Sequence, residues 1–298
     1  MSEAPGAPIT GGAAGAAAVL VPRLDHVVVN VRDRLDEAAE NYRRLGFSIM
    51  PRGHHTLGSS NHLAIFGETY LELFGYEPGG DAKTPDLWTD PTGLTGLVFK
   101  GGDPQVVYDV MKAGGLDVRE PLHFSRPVDT GDGPKPARFS VVSVPPGHIR
   151  NGRSFFCSHH TPELVWMPQW QTHPNGAHDI VGLVIASEDP ARTALVYQTI
   201  FGAGVTGETP EGLRFSAGTA VISIMKRKAA EARFGDAIIS LADGEDHMVA
   251  LRISTDSLDM AREALRAGSV TPITRDDALL VPHRAANGVA IEFVRQDA

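Results

Sequence analysis

The sequence predicts an α+β fold of four βαβββ modules paired into two curved-sheet domains, and three features predict it. One order recurs four times: an apolar strand, an acidic or capped turn, and an amphipathic helix that ends at Gly. The strands are rich in β-branched residues, which suit a pleated surface better than a helix. After each helix come short extended runs separated by turn residues.

In the first module Leu24 to Val31 reads as a strand, Asp33 as the helix cap and Gly46 as the stop after Leu45. Phe47 to Met50, His62 to Phe66 and Tyr70 to Tyr76 supply its remaining strands. The second opens with Leu94 to Phe99. Asp103 and Pro104 start its helix, Gly114 and Gly115 close it, and Phe139 to Val144 and Ser154 to His160 follow. The third repeats the device with Ile180 to Ala186, Asp189 and Pro190, then Gly202, and continues through Leu213 to Ser216 and Ala220 to Met225. The fourth uses Met248 to Ile253, a helix start near Asp256 or Ser257, and Gly268, followed by a short run at Thr271 to Thr274, Leu279 to Val281 and Val289 to Val294.

A single module exposes one apolar sheet face, so modules should pair around a cavity. Four modules give two pairs, expected at 23–167 and 178–298, with a linker at Met167 to Ala177 where Pro168, Trp170, Pro174, Asn175 and Gly176 break the pattern. Residues 1–22 read as a disordered Ala- and Gly-rich tail. Its apolar stretch, Ala13 to Val21, lacks the preceding Lys or Arg of a secretory signal.

The 298 residues, 42% hydrophobic and 21% charged, have ordinary globular composition. A formal net charge of -9 argues against nucleic acid as a partner, because counterion release needs clustered Lys and Arg. No apolar run reaches the ~20 residues that span a bilayer. Cys157 is the only cysteine, which excludes an intrachain disulfide and fits a reducing, cytoplasmic setting. There is no G-x-G-x-x-G after a strand, no Walker A loop, no G-x-S-x-G elbow and no H-E-x-x-H, so nucleotide cofactors and serine hydrolysis lose their usual support.

Several stretches resemble the vicinal-oxygen-chelate superfamily in its glyoxalase-like branch. They are Leu24-Asp25-His26-Val27-Val28-Val29, Arg43-Arg44-Leu45-Gly46-Phe47, Tyr70-Leu71-Glu72-Leu73 and Asn287-Gly288-Val289-Ala290-Ile291-Glu292-Phe293. The resemblance extends over about residues 24 to 296 as module architecture. It implies a divalent metal, Zn, Ni, Fe or Mn, held by His or Glu from first and last strands. By position His26 and Glu72 are the ligands it implies in the first module. Gly96 stands where a second first-strand His would be, and counting from Gly67 and Gly152 sets Cys157 opposite Glu72.

His159 shares the face of Cys157 and is the candidate third ligand, leaving positions open for substrate. Glu72 and His159 are the candidate catalytic residues. Asn30, His62, Cys157 and His160 are candidates for substrate binding, although His160 points to the opposite face of a regular strand. His26 and Glu72 hydrogen-bonded to each other, and His159 and His160 capping a strand end, are the plain structural alternatives. His173, Asn175 and His178 belong to the linker, where a turn role is expected. In the second half Gly182 and Val249 occupy first-strand positions and only Glu292 keeps a ligand-type side chain, so that half is expected to be structural or to cover substrate.

The resulting expectation is a metal-dependent lyase or isomerase of a small oxygenated substrate, with proton abstraction beside a carbonyl. Two alternatives stand beside it: an Fe(II)-dependent dioxygenase of the same fold, and a metal-free drug-binding protein. The expected partner is a small-molecule substrate, and pairing into a homodimer stays open.

Overall fold

The structure is a computed structural model and describes residues 20–77 and 90–295. All but the last residues of the expected tail lie outside that range. In chain order β1 (Leu24–Arg32), α1 (Leu35–Arg44), β2 (Gly53–His54), β3 (Ser60–Ile65) and β4 (Tyr70–Gly75) form the first module. The second comprises β5 (Gly93–Lys100), α2 (Pro104–Ala113), β6 (Leu122–Asp129), β7 (Pro134–Ser143) and β8 (Arg153–His159). The third is β9 (Ala177–Ser187), α3 (Pro190–Phe201), β10 (Gly207–Thr209), β11 (Gly212–Ala217) and β12 (Ala220–Lys226), followed by an added helix, α4 (Arg227–Phe234). The fourth is β13 (His247–Thr255), α5 (Leu258–Ala267), β14 (Ile273–Thr274), β15 (Ala278–Val281) and β16 (Ala290–Arg295).

Each pair of modules fuses into one eight-stranded sheet, ordered β2-β3-β4-β1-β5-β8-β7-β6 and β10-β11-β12-β9-β13-β16-β15-β14. Within a module the first strand runs parallel to the last, and the two modules of a pair meet at an antiparallel seam, β1 with β5 or β9 with β13.

Helix starts follow the capping chemistry at three of the four sites. The Asp103, Asp189 and Ser257 side chains accept from Gln105 N, Arg192 N and Asp259 N. Asp33 is not a cap: Arg34 holds that position without a side-chain bond, so α1 depends on packing of Leu35, Ala38, Ala39 and Tyr42. Phe47 to Met50 is not a strand. Its backbone makes only the Met50 N–H to Leu63 O bond of a ladder, while Phe47 and Ile49 turn into the core, and the sheet edge falls to β2. Four elements have no counterpart among the expected ones: β2, β6, β10 and α4.

Helices α1, α2, α3 and α5 lie between the sheets. One apolar core holds Val27 and Val29 of β1, Leu183 and Ile185 of β9, and residues of α1, α2, α3 and α5, with α1 packed on α5 and α2 on α3. A Cβ on Gly268 would sit 1.8 Å from the Arg44 backbone oxygen, and Arg44 Nε donates to Gly268 O at 2.9 Å, so the C-terminal ends of α1 and α5 touch backbone to backbone. Gly268→Ala is expected to cost about 3 kcal/mol by forcing these helices apart. Denaturant unfolding measures this, and a loss below about 0.5 kcal/mol would show the contact to be loose.

The outer faces of the two sheets are left for other uses. On the first, the segment Pro162–Trp170 brings Leu164, Val165, Trp166, Met167 and Trp170 across a second apolar cluster. On the second, α4 and the turn after it lay Ala230, Phe234, Ala237, Ile238 and Leu241 over a third. Among the described residues no helix is long and apolar enough to cross a membrane.

Candidate active site

The site begins with an irregularity in β1. Leu24 pairs with Phe99 and His26 with Val98, so Asp25 is an extra residue with no partner on β5. Leu24 and Val27 enter the interhelical core, and this bulge turns both Asp25 and His26 to the outer face. Strict alternation would have separated them.

Asp25 is the hub. One of its oxygens, Oδ2, accepts from His26 Nδ1 at 2.6 Å and from His159 Nε2 at 2.9 Å, and Lys100 Nζ stands 3.6 Å from Oδ1. Burial alone would raise the carboxyl's pKa, but the charge and hydrogen bond of His159, with those of His26, outweigh it and hold the group well below the usual carboxylate range. On its other side His26 turns Nε2 toward Glu72 Oε2 at 3.7 Å. The imidazole stacks on Tyr70 at 4.2 Å, and Trp166 closes on His159 at 4.8 Å.

Glu72 is held from β3 and lies in the field of a charge on β6. Asn61 Nδ2 donates to Glu72 Oε1 at 2.6 Å and also approaches His55 Nε2 at 3.3 Å. Arg126 is 3% exposed, and its Nη2 has no partner among the described residues. Burial lowers the guanidinium's pKa, and Tyr70 and Glu72 oppose that shift. A Cβ on Gly53 would lie 2.6 Å from Asn61 Oδ1 and 2.7 Å from Arg126 Nη1, so glycine there is what lets both side chains occupy this corner.

The neighbouring His55 is neutral. Burial pushes its pKa down to about 4, with Glu72 opposing and Arg126 reinforcing the shift, and its Nε2 must be bare to accept from Asn61. The unfolded chain therefore binds this proton first as pH falls. Stability should drop by about 2 kcal/mol between pH 6.5 and pH 4, with no further loss from this group below. Denaturant midpoints of wild type and His55→Gln across that interval check this, and parallel curves would refute it.

His26 and His159 thus meet on Asp25, and Glu72 faces His26 from the other side. The donors that lie within 4.8 Å of one another are an Asp25 oxygen, the Cys157 sulfur and a His159 nitrogen, a set that includes neither His26 nor Glu72. Burial, then the charges of Asp25 and Glu72, push the Cys157 thiol well above its ordinary pKa, so it is a neutral group there and not a thiolate nucleophile.

Three expected substrate contacts are placed elsewhere. Asn30 spends its amide on the Asp90 and Pro91 carbonyls and on Arg32 N. His62 lies on the helix-side face of β3, bonded to Met50 O and Arg52, because the alternation that aims Asn61 and Leu63 outward turns it away. His160 bonds Ser140 Oγ, shared with His123, behind the sheet. In the linker His173 ties Ser48 N to Ile65 O, and Asn175 bonds Leu45 O and Ala177 N.

The strand registers also correct the count that set Cys157 opposite Glu72. His26 pairs with Tyr70 and Gly96 with Arg153, so the residue two further on is Glu72 in one module and Phe155 in the other. A Cβ on Gly96 would meet Val28 Cβ at 2.5 Å, which leaves no room there for a first-strand ligand.

The sequence alone does not mark Asp25, Asn61 or Arg126 as site residues. The Asp-His pair at 25 and 26 is visible in the sequence, but alternation argued against a shared face; nothing local marks Arg126, which reaches Glu72 only through sheet closure.

The donor types present fit a divalent ion. Imidazole is a borderline donor and carboxylate a hard one, and Asp25 Oδ1 and His159 Nδ1 are buried without a hydrogen-bond partner among the described residues.

No curated protein sequence matches this chain. Solved structures similar to it include a hypothetical protein from Staphylococcus aureus, 12% identical over 93% of this chain and 100% of the other, with a TM-score of 0.65. A mutant 4-hydroxymandelate synthase from Streptomyces coelicolor is 12% identical over 93% of both chains, TM-score 0.54. A xylose isomerase-like TIM barrel/4-hydroxyphenylpyruvate dioxygenase fusion protein is 14% identical over 98% of this chain and 52% of its own, TM-score 0.62. At these identities they share the fold alone. The glyoxalase-like domain family model matches residues 24–201, more than half of the chain, across the whole first sheet and into β9 and α3. The chain belongs to the glyoxalase-like domain family of the vicinal-oxygen-chelate superfamily.

Proposed function

We propose that the protein is a metal-dependent lyase or isomerase that moves a proton beside a carbonyl in a small oxygenated anion. The observation that carries this reading is the buried row of Asp25, His26 and Glu72, joined by His159 on the same Asp25 oxygen. His26, Glu72 and His159 would hold the ion, with Asp25 orienting both imidazoles. A bound Zn, Ni, Fe or Mn ion supplies Lewis acidity toward vicinal substrate oxygens.

The chain's own groups do the rest. Asn61 fixes one Glu72 oxygen and leaves Oε2 to take the proton. Arg126, a buried charge whose Nη2 has no hydrogen-bond partner among the described residues, receives the substrate's carboxylate or similar group. Tyr70 and Trp166 keep water from the reacting centre.

Metal analysis of purified protein tests the proposal. One equivalent is expected in wild type and at least about tenfold weaker binding in His26→Ala and His159→Ala. Undiminished metal in both variants would remove the site. Absence of metal together with ligand-induced stabilisation and indifference to chelators would make the protein a drug-binding relative instead.

A second reading has its own support. Two His and one carboxylate are the donor set of non-haem Fe(II) oxygenases, and two similar structures carry the names of 4-hydroxymandelate synthase and a 4-hydroxyphenylpyruvate dioxygenase fusion. Incubation with 2-oxo acids in D2O, followed by NMR and an oxygen electrode, separates the two. Deuterium wash-in without oxygen uptake marks the lyase or isomerase, and oxygen consumption marks the oxygenase.

A further inference from the structure

The second sheet repeats the seam of the first with different chemistry. Gly182 pairs with Val221 and Arg252 as His26 pairs with Tyr70 and Val98. Gly182 and Ser223 therefore stand where His26 and Glu72 stand, and Arg252 where Val98 stands. Glu292, the one ligand-type residue kept, is 3% exposed and consumed by arginines: its Oε2 accepts from Arg252 Nε at 2.9 Å and Arg233 Nη2 at 3.1 Å, its Oε1 from Arg275 Nη1 at 3.1 Å. It offers nothing to a metal.

Those arginines do offer something to an anion. Arg233 and Arg252 border a cavity of about 200 Å³ between β9, β11, β12 and β13, lined among others by Gly182, Ser223 and Arg214. Glycine at 182 opens the floor: a Cβ there would lie 3.2 Å from Arg252 Cβ and Cδ, so the arginine stem lies flat across it. Glu292 takes one N–H from each of three guanidiniums that carry five apiece, and so orients the forks without exhausting them. The Arg214 side chain has no hydrogen bond or ion pair among the described residues, and that of Arg252 has none beyond Glu292. Among the residues lining the cavity, Arg214, Arg233 and Arg252 stand against a single carboxylate, Glu211, with Glu292 bonded behind two of them, in a chain of net charge -9.

We infer that this cavity is a second small-molecule site, separate from the His26 cluster, that binds an oxyanion group, carboxylate or phosphate, through Arg252 and Arg214. Guanidinium forks match such groups two oxygens at a time.

Isothermal titration of the full chain at low ionic strength with oxalate and, separately, with inorganic phosphate tests the inference and distinguishes the two anion classes. Saturable binding of at least one probe is expected. Arg214→Gln, an exposed and unpaired position, should weaken it about tenfold, and Arg214→Gln combined with Arg252→Gln further. Circular dichroism and melting controls show whether the double variant folds, and if it does not, Arg214→Gln alone decides. No saturation with either probe at millimolar concentration overturns the inference. So does binding within twofold of wild type in the deciding variant, which would place the anion elsewhere, as at Arg126. Metal content at the His26 cluster should be the same in all these variants.

Discussion

Asp25→Asn should destabilise the protein by about 3 kcal/mol at pH 7 and weaken metal binding at least about tenfold. The carboxylate is 1% exposed and serves three cationic or proton-donating neighbours, His26, His159 and Lys100. An amide of the same shape keeps an acceptor but removes the charge, and its NH2 has to face one of those donors.

The effect carries a pH signature. Because folding lowers the pKa of Asp25, the stabilisation is complete above the unfolded value near 4 and is lost as pH falls through the lower folded one. Denaturant melts should therefore show a gap between wild type and variant that holds from pH 7 to about 5 and narrows below 4. A gap that persists undiminished into strong acid, or that never opens at pH 7, would mean Asp25 is not the charge that organises the cluster.

Glu72→Gln should reduce turnover by about a hundredfold to ten-thousandfold while leaving the fold intact. The glutamine oxygen can still accept from Asn61, so the corner formed by Asn61 and Gly53 survives. What disappears is the base and the one carboxylate that faces both His26 and Arg126. At saturating metal the loss belongs in kcat, with KM little changed, since the anion contact at Arg126 is retained. Deuterium wash-in into a 2-oxo acid measures it, and wild-type exchange in the variant would dismiss Glu72 as the proton acceptor. Arg126→Gln should give the opposite split, a raised KM.

Much of the architecture could be read locally. Helix caps at Asp103, Asp189 and Ser257, glycine stops at Gly46, Gly115 and Gly202, and β-branched strands are short-range signals that need no knowledge of the fold. The errors have physical sources too. Phe47 to Met50 has strand composition, yet its side chains are claimed by the interhelical core, and tertiary packing overrides propensity. The prolines at 127, 134 and 136 hide the β6 and β7 hairpin, which tolerates them at the outer edge of the sheet.

The sequence by itself determined the modular α+β architecture, the family resemblance, and the candidacy of His26, Glu72 and His159, because periodicity, capping and short motifs are written within a few residues of one another. Only the tertiary structure decided that a bulge turns Asp25 onto the same face as His26, that His159 meets it across 134 positions of chain, and that Arg126 lies buried beside Glu72. It also decided that the second sheet trades a metal ligand's environment for a ring of arginines around Glu292. These depend on strand register and sheet closure, and the free energy that sets them is spread over contacts distant in sequence.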